Sequence, residues 1–181
     1  MKWTASHNVR DHKLGGLVPV REKLPHEVPH WVDSGREIYF ITVNCRIRGK
    51  NQLCSPETSD ALIKSAIHQH RNRKWFLHHF LLMPDHLHAL LSFPLSQNQI
   101  QRTMSSWKSW TAKQCGIQWQ RDFFEHRLRG TEAIAEKSLY IRNNPVRAGL
   151  ADSVELWPWL LWSSPFGDEI FQGWESSSHP R

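Results

Sequence analysis

The stretch Trp75–Phe93, WFLHHFLLMPDHLHALLSF, constrains the fold more than any other part of the chain. Two strand-like apolar runs, Trp75–Leu82 and His86–Phe93, are separated by Met83-Pro84-Asp85, a combination that closes an antiparallel hairpin. Upstream, Glu37–Asn44 (EIYFITVN) is dense in β-branched and aromatic residues and reads as a strand apolar on both faces. Between these strands, Ser55-Pro56-Glu57 offers an N-cap, a proline at the first helical position and an early acidic residue. Leu62, Ile63, Ala66 and Ile67 follow at helical spacing, so a helix is predicted to about Asn72. Ile100, Met104, Trp107 and Thr111 share one face of a second predicted helix, from about Ser96 to Gln114. A short strand around Phe123–Leu128 comes next, then a third helix capped by Thr131 and ended by Pro145. Strands and helices in this arrangement predict an α+β fold, a mainly antiparallel sheet with helices on one face.

At 181 residues the chain fits one compact domain, expected over residues 36–166. Residues 1–35, with Gly15-Gly16, Pro19, Pro25 and Pro29 and no periodicity, read as an N-terminal arm, and 167–181 as a flexible tail. Cys45, Cys54 and Cys115 are odd in number and form no CxxC pair, which argues against a disulfide framework or a structural zinc site. No apolar run approaches the roughly 18 residues of a membrane span. The opening MKWTASHNVRDHK lacks a signal-type hydrophobic stretch, so a cytoplasmic protein is expected. Neither GxxxxGK[ST] nor GxGxxG occurs, so no nucleotide cofactor is expected.

A net charge of +6 favours a polyanionic partner. The charge is uneven: residues 97–147 hold nine basic against four acidic side chains, whereas residues 148–181 hold one against five. Arg102, Lys108, Lys113, Arg121, Arg127, Arg129, Lys137, Arg142 and Arg147 suit a groove that tracks a nucleic-acid backbone, although solvated helix faces account for part of the same set. Trp107, Trp110 and Trp119 offer stacking surfaces, but Trp107 also fits the core face of its helix.

Two constellations bear chemistry. In His86-Leu87-His88 the imidazoles, two apart on a strand, project from one face and make half of a divalent-metal site. A chain with 12 His also produces such pairs by chance. His68-Gln69-His70 is one: on a helix, a two-residue step separates the side chains by about 200°. His78 and His79 are adjacent and read as ordinary sheet residues. The second constellation is Tyr140 with Asn144, at i and i+4 on the third helix. A phenol beside a metal attacks phosphodiesters and an amide oxygen ligates metals; a core tyrosine and a C-cap asparagine fit the same spacing. Tyr39, inside the first strand, reads as packing.

LLMPDHLHALLSF, WQRDFFEHRLR, YIRNNPVRAGL and the LWPWLLWSSPF stretch occur in this order between Tyr39 and Phe166. Together they resemble the REP-associated tyrosine transposases, relatives of the single-tyrosine HUH transposases. The resemblance implies a ferredoxin-like (RRM-like) fold with His86 and His88 as metal ligands on a central strand, Tyr140 as nucleophile and Asn144 as third ligand. Asp85 stands where the family usually has Asn. It further implies a Mg²⁺- or Mn²⁺-dependent endonuclease and strand transferase that acts on single-stranded DNA beside palindromic repeat (REP) hairpins through a 5′-phosphotyrosine intermediate, in a cytoplasmic, nucleoid-associated setting. Arg142, Arg147, Lys108, Arg121, Arg127 and Arg129 are the expected DNA contacts. A domesticated hairpin-binding protein that no longer cuts is the alternative, and monomer and homodimer both remain open. No HExxH or comparable spacing supports a zinc hydrolase.

Overall fold

The structure, a computed structural model, describes residues 37–94, 97–163 and 170–172. The expected N-terminal arm lies outside the described residues, as does most of the expected tail. The elements run β1 (Ile38–Asn44), α1 (Pro56–Arg71), β2 (Phe76–Met83), β3 (His86–Ser92), α2 (Gln97–Cys115), β4 (Phe124–Arg127), α3 (Thr131–Arg147), a 3₁₀ turn at Val154–Leu156, β5 (Leu160–Ser163) and β6 (Ile170–Gln172). They build one six-stranded sheet in the order β4-β1-β3-β2-β5-β6 with every pair antiparallel. The first six elements have the β1α1β2β3α2β4 succession and 4-1-3-2 strand order of a ferredoxin-like α+β fold. Beyond the expected boundary at residue 166, Ile170–Gln172 pairs with β5. Those three residues therefore belong to the sheet and not to a tail.

Local signals act as read. The Ser55 hydroxyl accepts the Thr58 N–H, and Pro56 occupies the first turn of α1. The hairpin turn is the two-residue Pro84-Asp85, and neighbouring backbone holds it. The Gln52 and Leu53 N–H groups donate to the Pro84 carbonyl, and the Cys45 N–H donates to that of Asp85. β1 and β3 are buried on both faces because both faces are covered. On one face α1 and α2 pack through Trp107, edge-on to Phe80 and Trp75 and donating to the Ser65 hydroxyl. Truncating so large a buried ring costs about 3–5 kcal/mol.

Helices on one face hold for α1 and α2 only. α3 lies across the opposite face, where Tyr140 meets Phe40 of β1 and His88 of β3. Tyr39, Ile41 and Val43 alternate with Phe40 and Thr42, so β1 feeds both layers at once.

The α3 ends also differ from expectation. Gly130, not Thr131, is the N-cap, and Pro145 lies inside the helix. Pro145 leaves the Ile141 carbonyl without its N–H donor, yet the helix runs on to Arg147. The stop comes instead at Gly149, whose φ of 67° allows the left-handed turn. The Gly149 N–H donates to the Val146 carbonyl and the Leu150 N–H to that of Pro145, closing the helix end.

Candidate active site

β1 and β3 register Thr42 opposite His88 and Asn44 opposite His86. Both imidazoles consequently sit on the face that α3 covers. His86 and His88 have ring centroids 4.9 Å apart. Each Nδ1 is held from behind: that of His86 lies 2.6 Å from Asp85 Oδ1, and that of His88 lies 2.8 Å from Thr42 Oγ1. With Nδ1 carrying the proton, Nε2 is the lone-pair nitrogen of each ring, the arrangement found behind metal-ligating histidines. Phe40 stacks on His88 at 5.4 Å. Burial, followed by the neighbouring His86, pushes the His88 pKa down to about 3, which keeps that ring neutral.

Asp85 is a junction. Its Oδ2 accepts the Gly49 N–H at 2.7 Å and lies 3.3 Å from Arg48 Nε, and Arg48 also donates to Asn44 Oδ1 at 2.6 Å. Burial works to raise the Asp85 pKa. The Gly49 hydrogen bond, His86 and Arg48 together outweigh it and hold the carboxyl below the ordinary range.

Tyr140 is half-buried on α3, its ring 5.5 Å from that of His88 and edge-on to Phe40 at 6.0 Å. Lys137 Nζ lies 5.4 Å from the Tyr140 ring centre and Arg147 Cζ lies 5.4 Å from the same centre. Asn144 follows one turn later and is half-buried. It is not the helix cap, because α3 continues to Arg147 with Ala148 at the cap. The other tyrosine is unsuited to attack. Tyr39 is buried, its hydroxyl donates to Glu37 at 2.7 Å, and burial and that carboxylate push its pKa up to about 12.

Among the described residues no group of three or more His, Cys, Asp or Glu side chains could hold a metal ion. A divalent ion at His86 and His88 would therefore need a ligand of another type, and the amide oxygen of Asn144, one turn beyond Tyr140 on α3, is the one expected for it. Two imidazoles with anchored Nδ1 atoms fit such an ion as an open, under-filled donor set. The other histidine pairs go elsewhere. His70 is buried and its Nδ1 accepts the Leu77 N–H while His68 is exposed, and both His78 and His79 are buried in β2.

The expected DNA contacts separate. Arg147 flanks Tyr140, and Arg121 and Arg129 are exposed. Arg142 is half-buried, and Arg127 is paired with Glu37 at the β4 edge. Lys108 is a correction. It is buried, its ammonium donates to the Arg121 carbonyl at 2.8 Å and the Asp122 carbonyl at 3.2 Å, and burial lowers its pKa. It ties α2 to the approach of β4 and is not a free cation. Of the three tryptophans, Trp107 is core, Trp110 is exposed and Trp119 is half-buried.

Sequence reasoning missed Thr42 and Arg48. Thr42 is legible only once the register places it against His88; Arg48 sits in an irregular segment with no periodic signal. Phe124, 55% exposed and 6.3 Å edge-on from Phe40, is a further aromatic group beside the site.

No protein-family model matches the chain. It is 29% identical over 138 residues to the REP-associated tyrosine transposase of Escherichia coli, covering 75% of this chain and 79% of that protein. A Haemophilus influenzae protein of the same description is 28% identical over 107 residues, covering 50% of this chain and 60% of that protein. Among solved structures, a REP-associated tyrosine transposase bound to a REP hairpin matches with a TM-score of 0.61 and 28% identity, covering 68% of this chain and 75% of that one. The resemblance carried by the motifs thus extends over 75% of the chain in sequence and 68% of it in fold.

Proposed function

From this similarity to the REP-associated tyrosine transposases, in sequence and in fold, we propose that the chain binds palindromic-repeat hairpins and cuts single-stranded DNA beside them through Tyr140. The observation that carries the reading is the packing of the Tyr140 ring against His88, with Lys137 and Arg147 at its sides. One phenol, two imidazoles and two cations converge where α3 crosses β1 and β3, and a phosphodiester needs each of these types.

The phenol oxygen of Tyr140 attacks the scissile phosphorus. The bond to the 3′ oxygen breaks and the phenol proton passes through solvent to that departing oxygen, giving a 5′-phosphotyrosine and a free 3′-OH. Because the covalent bond retains the phosphodiester's energy, attack by a 3′-OH rejoins strands without a nucleotide cofactor. Mg²⁺ or Mn²⁺ held by His86, His88 and Asn144 would polarise the phosphate and offset the charge that develops on it. Asn144 has no basic atom to take the phenol proton. Lys137 and Arg147 face the incoming phosphate as cations. A single helix-borne tyrosine reaches a backbone presented as a single strand more readily than one held in a duplex. A cytoplasmic setting with the nucleoid belongs to the same proposal and rests on the similarity to DNA transposases; no helix of the described residues is long and apolar enough to cross a membrane.

The test is incubation with a labelled single-stranded hairpin oligonucleotide and Mn²⁺, scored for a denaturation-resistant protein–DNA adduct. An adduct that EDTA prevents is the expected result. Hairpin binding with no adduct in either metal would favour the non-cleaving binding protein.

A further inference from the structure

A cleft of about 500 Å³ lies between α2 and the segment leading into β4, on the far side of β1 from α3. Its walls carry Arg46, Arg121, Ser105, Ser109, Gln118 and Trp119, and among the described residues no carboxylate lines it. Arg46, Arg121, Ser105, Ser109 and Gln118 are exposed. The two serines are four apart on α2, so they share a face. Two guanidiniums, two hydroxyls, an amide and an indole face match the parts of one nucleotide: phosphate, sugar and base edges, and base face.

The cleft is built rather than incidental. The Arg46 N–H donates to the Gln118 carbonyl at 2.6 Å, the Gln120 N–H donates to the Asn44 carbonyl at 2.9 Å, and Cys45 bridges to Trp119. The Trp119 indole N–H is fixed on the Thr111 hydroxyl at 2.9 Å, and Lys108 pins the carbonyls of Arg121 and Asp122. Asn44 is the residue paired with His86, so the cleft begins at the end of β1 where the rung bearing His86 lies.

We propose that this cleft holds a nucleotide of single-stranded DNA that continues from the Tyr140 site over the end of β1. The proposal rests on the functional reading above and adds a seat for the unpaired strand, with Arg46 and Arg121 on its phosphate and Trp119 beneath its base. Lys108 also lines the seat, its ammonium engaged by the Arg121 and Asp122 carbonyls that it pins.

The test compares a REP-type hairpin with the same hairpin carrying single-stranded extensions, by fluorescence anisotropy on the full chain across several salt concentrations. Two variants are used: Arg46→Ala with Arg121→Ala, and Ser109→Phe, which fills the cleft and leaves both arginines. Thermal melts establish that each is folded. Binding of the extended oligonucleotide is expected to weaken roughly tenfold or more in both, as charge-assisted hydrogen bonds are lost or blocked. The double variant's salt slope is expected to fall by about 1.4, two single-strand phosphate contacts at about 0.7 each. Binding of the bare hairpin by Ser109→Phe should stay as in the wild type, and the double variant should lose less on the bare hairpin than on the extended oligonucleotide. Wild-type affinity of both variants for the extended oligonucleotide, or equal losses on both oligonucleotides, overturns the proposal and leaves the functional reading standing. A wild-type protein that binds neither oligonucleotide overturns both.

Discussion

His88 Nδ1 lies 2.8 Å from the hydroxyl oxygen of Thr42, the residue paired with it across β1 and β3. The hydrogen bond is written into the strand register, so the ring that faces Tyr140 is oriented by the sheet itself. Thr42→Val keeps the β-branched shape and removes the hydroxyl. Its Mn²⁺ affinity, read from the free-ion resonance signal, is expected to fall about 10–100-fold, as for other groups that orient metal ligands. Unchanged affinity in a folded variant would show that the hydroxyl does not tune the imidazole pair.

The chain has two tyrosines, so Tyr140→Phe leaves Tyr39 as the sole phenol. Absorbance titration of that variant is expected to show one phenol ionising at about 12, raised by burial and by the Glu37 carboxylate. An unfolded chain ionises near about 10. The stability contributed by the neutral phenol is therefore full below that pH and is lost as the pH rises towards the folded value. A folded variant whose phenol titrates near the ordinary value would contradict this placement.

Lys108 is expected to behave as a structural residue. Lys108→Met keeps the aliphatic stem but leaves the Arg121 and Asp122 carbonyls without their donor. Denaturant unfolding should register a loss of about 1–3 kcal/mol. The salt dependence of hairpin binding should keep its slope. Unchanged stability with a shallower slope would return Lys108 to the DNA contacts.

Gly149→Ala tests the end of α3. An added Cβ meets no atom within 4 Å, so the cost is conformational, from a φ of 67°. About 1–2 kcal/mol of destabilisation is expected in thermal or denaturant melts. Pro145→Ala restores a donor for the Ile141 carbonyl and should leave stability unchanged or higher. A large loss for Pro145→Ala would place the helix stop back at the proline.

These residues also mark what the sequence discloses. The hairpin, the helix faces and the α+β order of elements are legible because apolar periodicity and the Pro84-Asp85 turn are local signals, whereas the ferredoxin-like arrangement is what the family resemblance implies. The end of α3 departs from expectation because the helix accommodates Pro145 and stops only where Gly149, four residues on, takes the left-handed turn. The layer position of α3 and the fate of Lys108 depend on tertiary packing, which spacing does not encode. His86, His88 and Tyr140 stood out through their motifs. Their approach in space, with Thr42, Phe40 and Lys137 around them, is visible only once β1 pairs with β3.

Peptide mapping by mass spectrometry of the covalent complex formed with a single-stranded hairpin substrate and Mn²⁺ tests the central claim most directly. The account expects the nucleotide on the Tyr140 phenol and no adduct from Tyr140→Phe, which should still bind the hairpin. A nucleotide on any other residue, or an adduct formed by Tyr140→Phe, would contradict it.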